Sequence, residues 1–274
     1  MAIPIPRAPA LDLSAVPKHW AGGNAVATAI SNGINLLFPH GERFFVRSVH
    51  HYLDQITDPT LRAQVVAFFK QEGHHAHAHD ELNEILRQQG FEIDGFLARY
   101  YSITKWLEAR MPAKLNLAGT AAAEHFTAIL AEGAFDNGIL DALHPTMQEL
   151  LAWHAAEEIE HKAVAFDVLQ QVDPSYALRI AGLAHATVLL SGFWLWSAIM
   201  LLRQEKLGLR GLREQLRRMS AGEKARGDGP VITRVFLRGI RQYIRRDFHP
   251  SDNANDHLAR TWFANHGLPF TEAA

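Results

Sequence analysis

The stretch "TDPTLRAQVVAFFKQEGHHAHAHDELNEILRQQG" constrains the fold more than any other part of the chain. Asp58 stands where an N-cap would accept backbone N–H groups, Pro59 falls at the first helical position, and Gly90 supplies a C-terminal stop. One helix must therefore carry the whole run, including His74, His75, His77 and His79. The remaining segments read the same way. Apolar residues at helical spacing predict helices near 41–55, 94–110, 113–132 and 145–172, and two more near 230–247 and 251–265. No stretch sustains a period-two alternation, so the fold class is all-α.

Composition narrows the chemistry. The 274 residues are 48% hydrophobic, enough for one large domain or a domain with an extension. A formal net charge of −2 gives no electrostatic basis for nucleic acid as a partner. The absence of cysteine removes disulfides, iron–sulfur clusters, thiolate zinc sites and cysteine nucleophiles. Any metal must then be held by His, Asp, Glu or backbone oxygen. The start, "MAIPIPRAPALDLSAVPKHW", is broken by prolines and lacks a charged head followed by an apolar run. It predicts an extended N-terminal arm over residues 1–38 and a cytoplasmic location. The stretch from Ser220 to Gly229, "SAGEKARGDG", is the most linker-like.

Glu72 and His75 have the spacing Glu-x-x-His, and so do Glu158 and His161. Residues three apart share a helix face, so each pair can turn a carboxylate and an imidazole toward one ion. Alone, the spacing is weak in a chain with 16 histidines. Its weight comes from what precedes it. One helix earlier in each case, a glutamate stands among apolar residues: Glu42 in "PHGERFFV" and Glu124 in "AAAEHFTAIL". One glutamate from each of two helices and Glu-x-x-His from each of two others is the ligand set of carboxylate-bridged dimetal four-helix bundles. Such oxygen-rich donors, with one nitrogen per metal, suit two iron ions, or manganese.

Several neighbours compete for these roles. His154 shares the i, i+4, i+7 stripe with Glu158 and His161, and is an additional ligand or an outer partner. His79 shares a face with His75, whereas His74 and His77 turn away. His125 would replace Glu124 if its helix were rotated, and Glu157 or Glu160 would replace Glu158 after a register shift. Glu42 could instead pair with Arg43 or Arg47 at the surface.

The segments "GERFFVRSV", "EGHHAHAHD" and "WHAAEEIEHKAVAFDV" resemble the family of predicted metal-dependent hydrolases, which is placed among ferritin-like helical proteins. The resemblance runs from about Pro39 to the C-terminal helices. It implies a ferritin-like four-helix bundle over residues 39–178; the chain departs from a minimal bundle in an extra crossover helix, 94–110, and in a helical extension over 179–274 packed on the bundle. It also implies metal ligation by Glu42, Glu72, His75, Glu124, Glu158 and His161. The glutamate-rich, wholly helical donor set leads to the expectation of a non-haem di-iron enzyme. Glu72 and Glu158 would bridge the ions, O2 would be activated, and a small apolar or aromatic substrate would be oxidised or hydroxylated, with an electron-donor protein as partner. The alternatives are a two-metal hydrolase and a non-enzymatic metal-binding or membrane-associated protein. No nucleotide loop, flavin or nicotinamide fingerprint or serine-nucleophile motif is present in the sequence.

"IAGLAHATVLLSGFWLWSAIMLL", residues 180–202, carries no Asp, Glu, Lys or Arg and is followed by a basic segment. Its length suffices to cross a bilayer. A buried helix, a homodimer contact, or a membrane-surface contact through 180–218 are the competing readings. Phe193, Trp194 and Trp196 are candidates to line an apolar pocket.

Overall fold

Helix α3 (Pro59–Gln88) is the longest element, and its ends follow the capping rules. Asp58 accepts from the Thr60 N–H at 2.8 Å, and Pro59 begins the first turn. At the other end Gly90 adopts φ +86°, in the left-handed region that glycine tolerates without Cβ strain. The Phe91 N–H then reaches the Leu86 carbonyl and the Gly90 N–H the Arg87 carbonyl. This pair of bonds is the Schellman closure, and the two residues that flank it, Leu86 and Phe91, are both buried in one apolar cluster.

The computed structural model describes residues 2–136, 138–225 and 231–270, and those residues contain helices and no strand. Four helices form the frame: α3 together with α2 (Phe38–His50), α5 (Ala113–Asp136) and α6 (Pro145–His161). Helix α2 packs on α3 and α5, and α6 packs on the same two, so the four close into a ring. Helix α4 (Asp94–Arg110) lies in the connection from α3 to α5. Helix α7 (Val164–Val172) covers α3 and α5, α10 (Val231–Tyr243) lies on α5, and α11 (Asp256–Asn265) lies on α6. The principal apolar cluster joins Val65 and Phe68 of α3, Leu117, Ala121 and Phe126 of α5, and Val164 and Val168 of α7. Each of the Val, Leu and Phe side chains among them contributes about 1.5–3 kcal/mol on burial.

Helix α8 (Tyr176–Gln204) contains the apolar run and packs along α5 and along α1 (Ala25–Asn35). Gly182 meets the Ala118 backbone so closely that a Cβ would lie 2.4 Å from its carbonyl atoms. Ser197 Oγ bonds the Gly33 carbonyl at 2.8 Å, and Trp194 Nε1 the Ile30 carbonyl at 2.8 Å. One stripe of α8 is thus part of the core. Its opposite side is exposed, with Val188 at 70% and Leu195 at 63%. Among the described residues it is the one helix long and apolar enough to cross a membrane by length and composition. Helix α9 (Leu209–Ala225) packs against α1.

Several expectations need correction. Residues 1–38 are not extended throughout: Asn24 accepts from the Val26 and Ala27 N–H groups and so starts α1. The single helix expected over 145–172 breaks after His161 and resumes at Val164. At the break the buried Lys162 ammonium is held by Asn253 O, Asn255 Oδ1 and Asp256 Oδ1. Within the expected linker, residues 220–225 continue α9, and the remainder lies outside the described residues. The last helix begins at Asp256, after a short 3-10 turn over Pro250–Asp252.

Candidate metal centre

Inside the ring, α2 presents Glu42, α3 presents Glu72 and His75, α5 presents Glu124, and α6 presents Glu158 and His161. All six residues are buried. His161 Nε2 lies 3.2 Å from Glu72 Oε1, 3.3 Å from Glu124 Oε2 and 3.5 Å from Glu158 Oε2. His75 Nδ1 lies 3.7 Å from both Glu72 Oε1 and Glu158 Oε1. Among the described residues, four donor triads have ligand atoms within 4.8 Å of one another: Glu72 with Glu124 and His161, Glu72 with Glu42 and His75, His75 with His154 and Glu158, and Glu42 with His79 and His154. The surface pairing weighed for Glu42 does not occur, because Arg43 pairs with Asp80 and Arg47 with Glu108.

The hydrogen bonding of this cluster is incomplete in a telling way. Both carboxylate oxygens of Glu42, Glu72 and Glu124, with His75 Nδ1 and His161 Nε2, are buried without a hydrogen-bond partner. Buried polar atoms are nearly always paired, so a cluster of orphans that face one another calls for something more to sit among them. Four carboxylates and two imidazole lone pairs match the charge and preferences of two divalent cations. In the metal-free chain, protons carry that charge. Burial, then the neighbouring Glu158 and Glu124, raises the Glu42 carboxyl well above its usual range, and burial with Glu124 and Glu158 does the same to Glu72. Glu124 is pushed up to about 7 by burial and then by Glu158. Burial opposes charge on His161, yet Glu158 and Glu124 hold its imidazolium well above the usual histidine range. Burial likewise opposes ionised Glu158, but His161 and His154 keep its carboxyl well below the usual range.

A second layer fixes the ring nitrogens. His75 Nε2 lies 3.0 Å from Glu157 Oε2, so it donates there and leaves Nδ1 facing the centre. Gln71 donates its amide to Glu160 Oε2 at 2.7 Å, which leaves its Oε1 to accept from His161 Nδ1 at 2.9 Å. The support is crossed: the residue just before each Glu-x-x-His holds the histidine of the other. Arg7, from the N-terminal arm, closes the layer with its Nη1 at 3.2 Å from Glu157 Oε1 and 2.9 Å from Glu160 Oε2. The Glu-x-x-His spacing alone does not mark Arg7, Gln71, Glu157 or Glu160 as supporting groups. The paired sequences Gln71-Glu72-x-x-His75 and Glu157-Glu158-x-x-His161 carry the signal that could have found two of them.

The remaining candidates separate. His154 Nε2 stands 2.8 Å from Glu158 Oε1 and 3.7 Å from Glu42 Oε1, at the rim of the cluster. His79 is one step further out, bonded to His154 Nδ1 at 2.6 Å and to Asn35 Oδ1. His125 is placed elsewhere: its Nε2 lies 3.0 Å from the Gly239 carbonyl and its ring packs on Tyr243 and Phe248. His74 Nδ1 bonds the Arg7 carbonyl, and His77 pairs with Glu81 at the surface.

Two cavities reach this cluster. One of about 120 Å³ is lined by Glu42, Tyr100, Ala123 and Phe193, and one of about 310 Å³ by His154, Glu158, Met147 and Trp194. Phe193 and Trp194 thus line apolar space, while Trp196 packs on Phe96.

This fold and this cluster define the class: an all-α protein with a buried carboxylate–histidine group of the kind that holds metal ions. The chain belongs to the family of predicted metal-dependent hydrolases, whose model matches residues 5–254. No curated protein and no solved structure matches the chain. The family match overturns the expectation of an O2-activating oxygenase and favours the hydrolytic alternative. Hydrolysis calls for water in place of O2 and an electron donor.

Proposed function

We propose that the protein is a two-metal hydrolase whose ions are held by Glu42, Glu72, His75, Glu124, Glu158 and His161, in a ferritin-like arrangement of α2, α3, α5 and α6. The observation that carries this reading is the convergence of the unpartnered, buried atoms of Glu42, Glu72, Glu124, His75 and His161 within one ring of helices. Iron(II) or manganese(II) suits the donors, since carboxylate oxygens predominate. When bound, two such ions polarise a carbonyl and lower the pKa of a water.

The chain's own groups do the rest. Glu72, which shares one triad with Glu124 and His161 and another with Glu42 and His75, would serve as a ligand on both sides of the cluster. Glu157 and Gln71 fix the imidazole tautomers, so that His75 Nδ1 and His161 Nε2 present lone pairs. His154, bonded to Glu158 and close to Glu42, is placed to exchange a proton at Nε2 with a group leaving the centre. The mostly apolar cavities limit bulk water at the reacting bond.

The test is metal content and hydrolysis on the full chain without a histidine tag. We expect two ions per chain, loss of both in Glu72→Ala, and ester hydrolysis that chelation abolishes and metal restores. Unchanged metal content in Glu72→Ala would show the ligand assignment to be wrong, and hydrolysis indifferent to chelation would overturn the metal-dependent reading.

A further inference from the structure

The two cavities run on either side of a common wall formed by Ile34, Phe38, Thr127 and Leu130. Along α5 they are bordered by Asn116, Gly119, Ala123, Thr127, Leu130 and Ala134, a stripe with steps of three or four residues. At 1.5 Å per residue that stripe is ~27 Å long. Glu124, next to Ala123 in sequence, turns to the metal cluster from about the middle of this path. The space is therefore long, narrow and flanks the centre.

Its polar borders are largely engaged. His40 bonds Thr104 at 2.6 Å, Glu108 is bonded by Arg47 at 2.9 Å and by Lys105 at 3.0 Å, and Asn116 donates to the Glu108 carbonyl at 3.0 Å. The group at the inner end is Glu42, 1% exposed, with neither oxygen hydrogen-bonded. The lining residues include no lysine or arginine that could neutralise a charged group away from the cluster. A substrate that fills this space must be apolar away from its reacting bond.

We infer that the substrate is a carboxylic ester with a linear acyl chain, which lies in the smaller cavity between α2, α4, α5 and α8. The apolar alcohol portion occupies the larger cavity beside His154 and Glu158, and the scissile carbonyl sits at the shared wall next to the cluster. This inference rests on the hydrolytic reading above. The reaction balances with water alone: the water oxygen bonds the acyl carbon, the acyl C–O bond breaks, and the departing alkoxide takes up a proton. The products are a fatty acid and an alcohol.

The experiment pairs turnover with binding. On the full chain as isolated, p-nitrophenyl esters from acetate to decanoate are hydrolysed, and cis-parinaric acid is titrated by its fluorescence. We expect kcat/KM to rise about fourfold per methylene until the cavity is full. Ala123→Phe, which fills the smaller cavity, should lower parinarate affinity and the decanoate-to-acetate ratio of kcat/KM at least tenfold, with metal content unchanged. The wild-type chain-length series stands even if that variant does not fold. Ester turnover with a flat chain-length profile and no parinarate binding would overturn the inference and leave the hydrolytic reading intact. Parinarate binding that Ala123→Phe abolishes, in a protein that turns over no ester, would support the acyl cavity and refute the hydrolytic reading.

Discussion

Replacing Gln71 with leucine tests whether the crossed support of the two histidines acts on each metal separately. Gln71 is fully buried, accepts from His161 Nδ1 at 2.9 Å and donates to Glu160 Oε2 at 2.7 Å. Leucine has similar bulk but strands a buried N–H and leaves Glu160 with one donor fewer. Leaving a buried donor unsatisfied costs about 1–3 kcal/mol. That agrees with the roughly 10–100-fold loss of metal affinity seen when a ligand histidine loses its outer partner. The loss should fall on the ion that His161 faces, because His75 keeps its own bond to Glu157 at 3.0 Å. Competition with a chromophoric chelator resolves two binding steps. The Gln71→Leu protein should show one step weakened by about 10–100-fold and the other within threefold. Glu157→Gln should weaken the opposite step, and less, because an amide oxygen still accepts from His75. Equal weakening of both steps, or of neither, would refute the one-histidine-per-ion reasoning.

Three further outcomes follow from the same structure. Glu42, Glu72, Glu124 and His161 all have raised values in the metal-free fold, so the folded chain holds protons there that the unfolded chain releases. His75, His79 and Glu158 are shifted down, so their influence on stability ends by about pH 6.5. The metal-free protein should therefore lose thermal stability as pH rises above about 6.5, while metal affinity rises in the same direction. Paired melts and metal titrations check both signs, and a flat metal-free melting curve would contradict them. Arg7→Ala should destabilise the fold by about 3–5 kcal/mol in denaturant titration, because Glu157 and Glu160 remain buried without their cation. Gly182→Ala should cost about 1–3 kcal/mol or more, lowering Tm by several degrees, since the added methyl would lie 2.4 Å from the Ala118 carbonyl.

How far these features were legible in the sequence depended on how local their causes are. The ends of α3 follow from Asp58, Pro59 and Gly90 within the helix itself, and its boundaries could be read directly. The convergence of Glu72, His75, Glu158 and His161 was legible because a helix turns residues three apart to one side, which made the two pairs stand out together. Choosing Glu124 over His125 was not a local matter. It depends on α10 and the segment after it, where Gly239, Tyr243 and Phe248 receive His125. The break after His161 similarly coincides with the grip of Asn253, Asn255 and Asp256 on Lys162, contacts made about ninety residues away in sequence. The chemistry was the least legible part. Oxygen activation and hydrolysis can use the same donor set, and the donors alone do not distinguish them.

The involvement of Arg7 gives the protein an order of assembly. Its partners Glu157 and Glu160 lie 150 and 153 residues after Arg7 in the chain and are made later. At bacterial to eukaryotic synthesis rates of about 5–20 residues per second, the arm waits roughly 8–30 s for them. On the proposed ligand assignment, α2, α3 and α5 would by then offer Glu42, Glu72, His75 and Glu124 without Glu158 and His161. An ion held by that partial set would still exchange with its surroundings. Docking of Arg7 onto Glu157 and Glu160 therefore closes the outer layer only once α6 has been made.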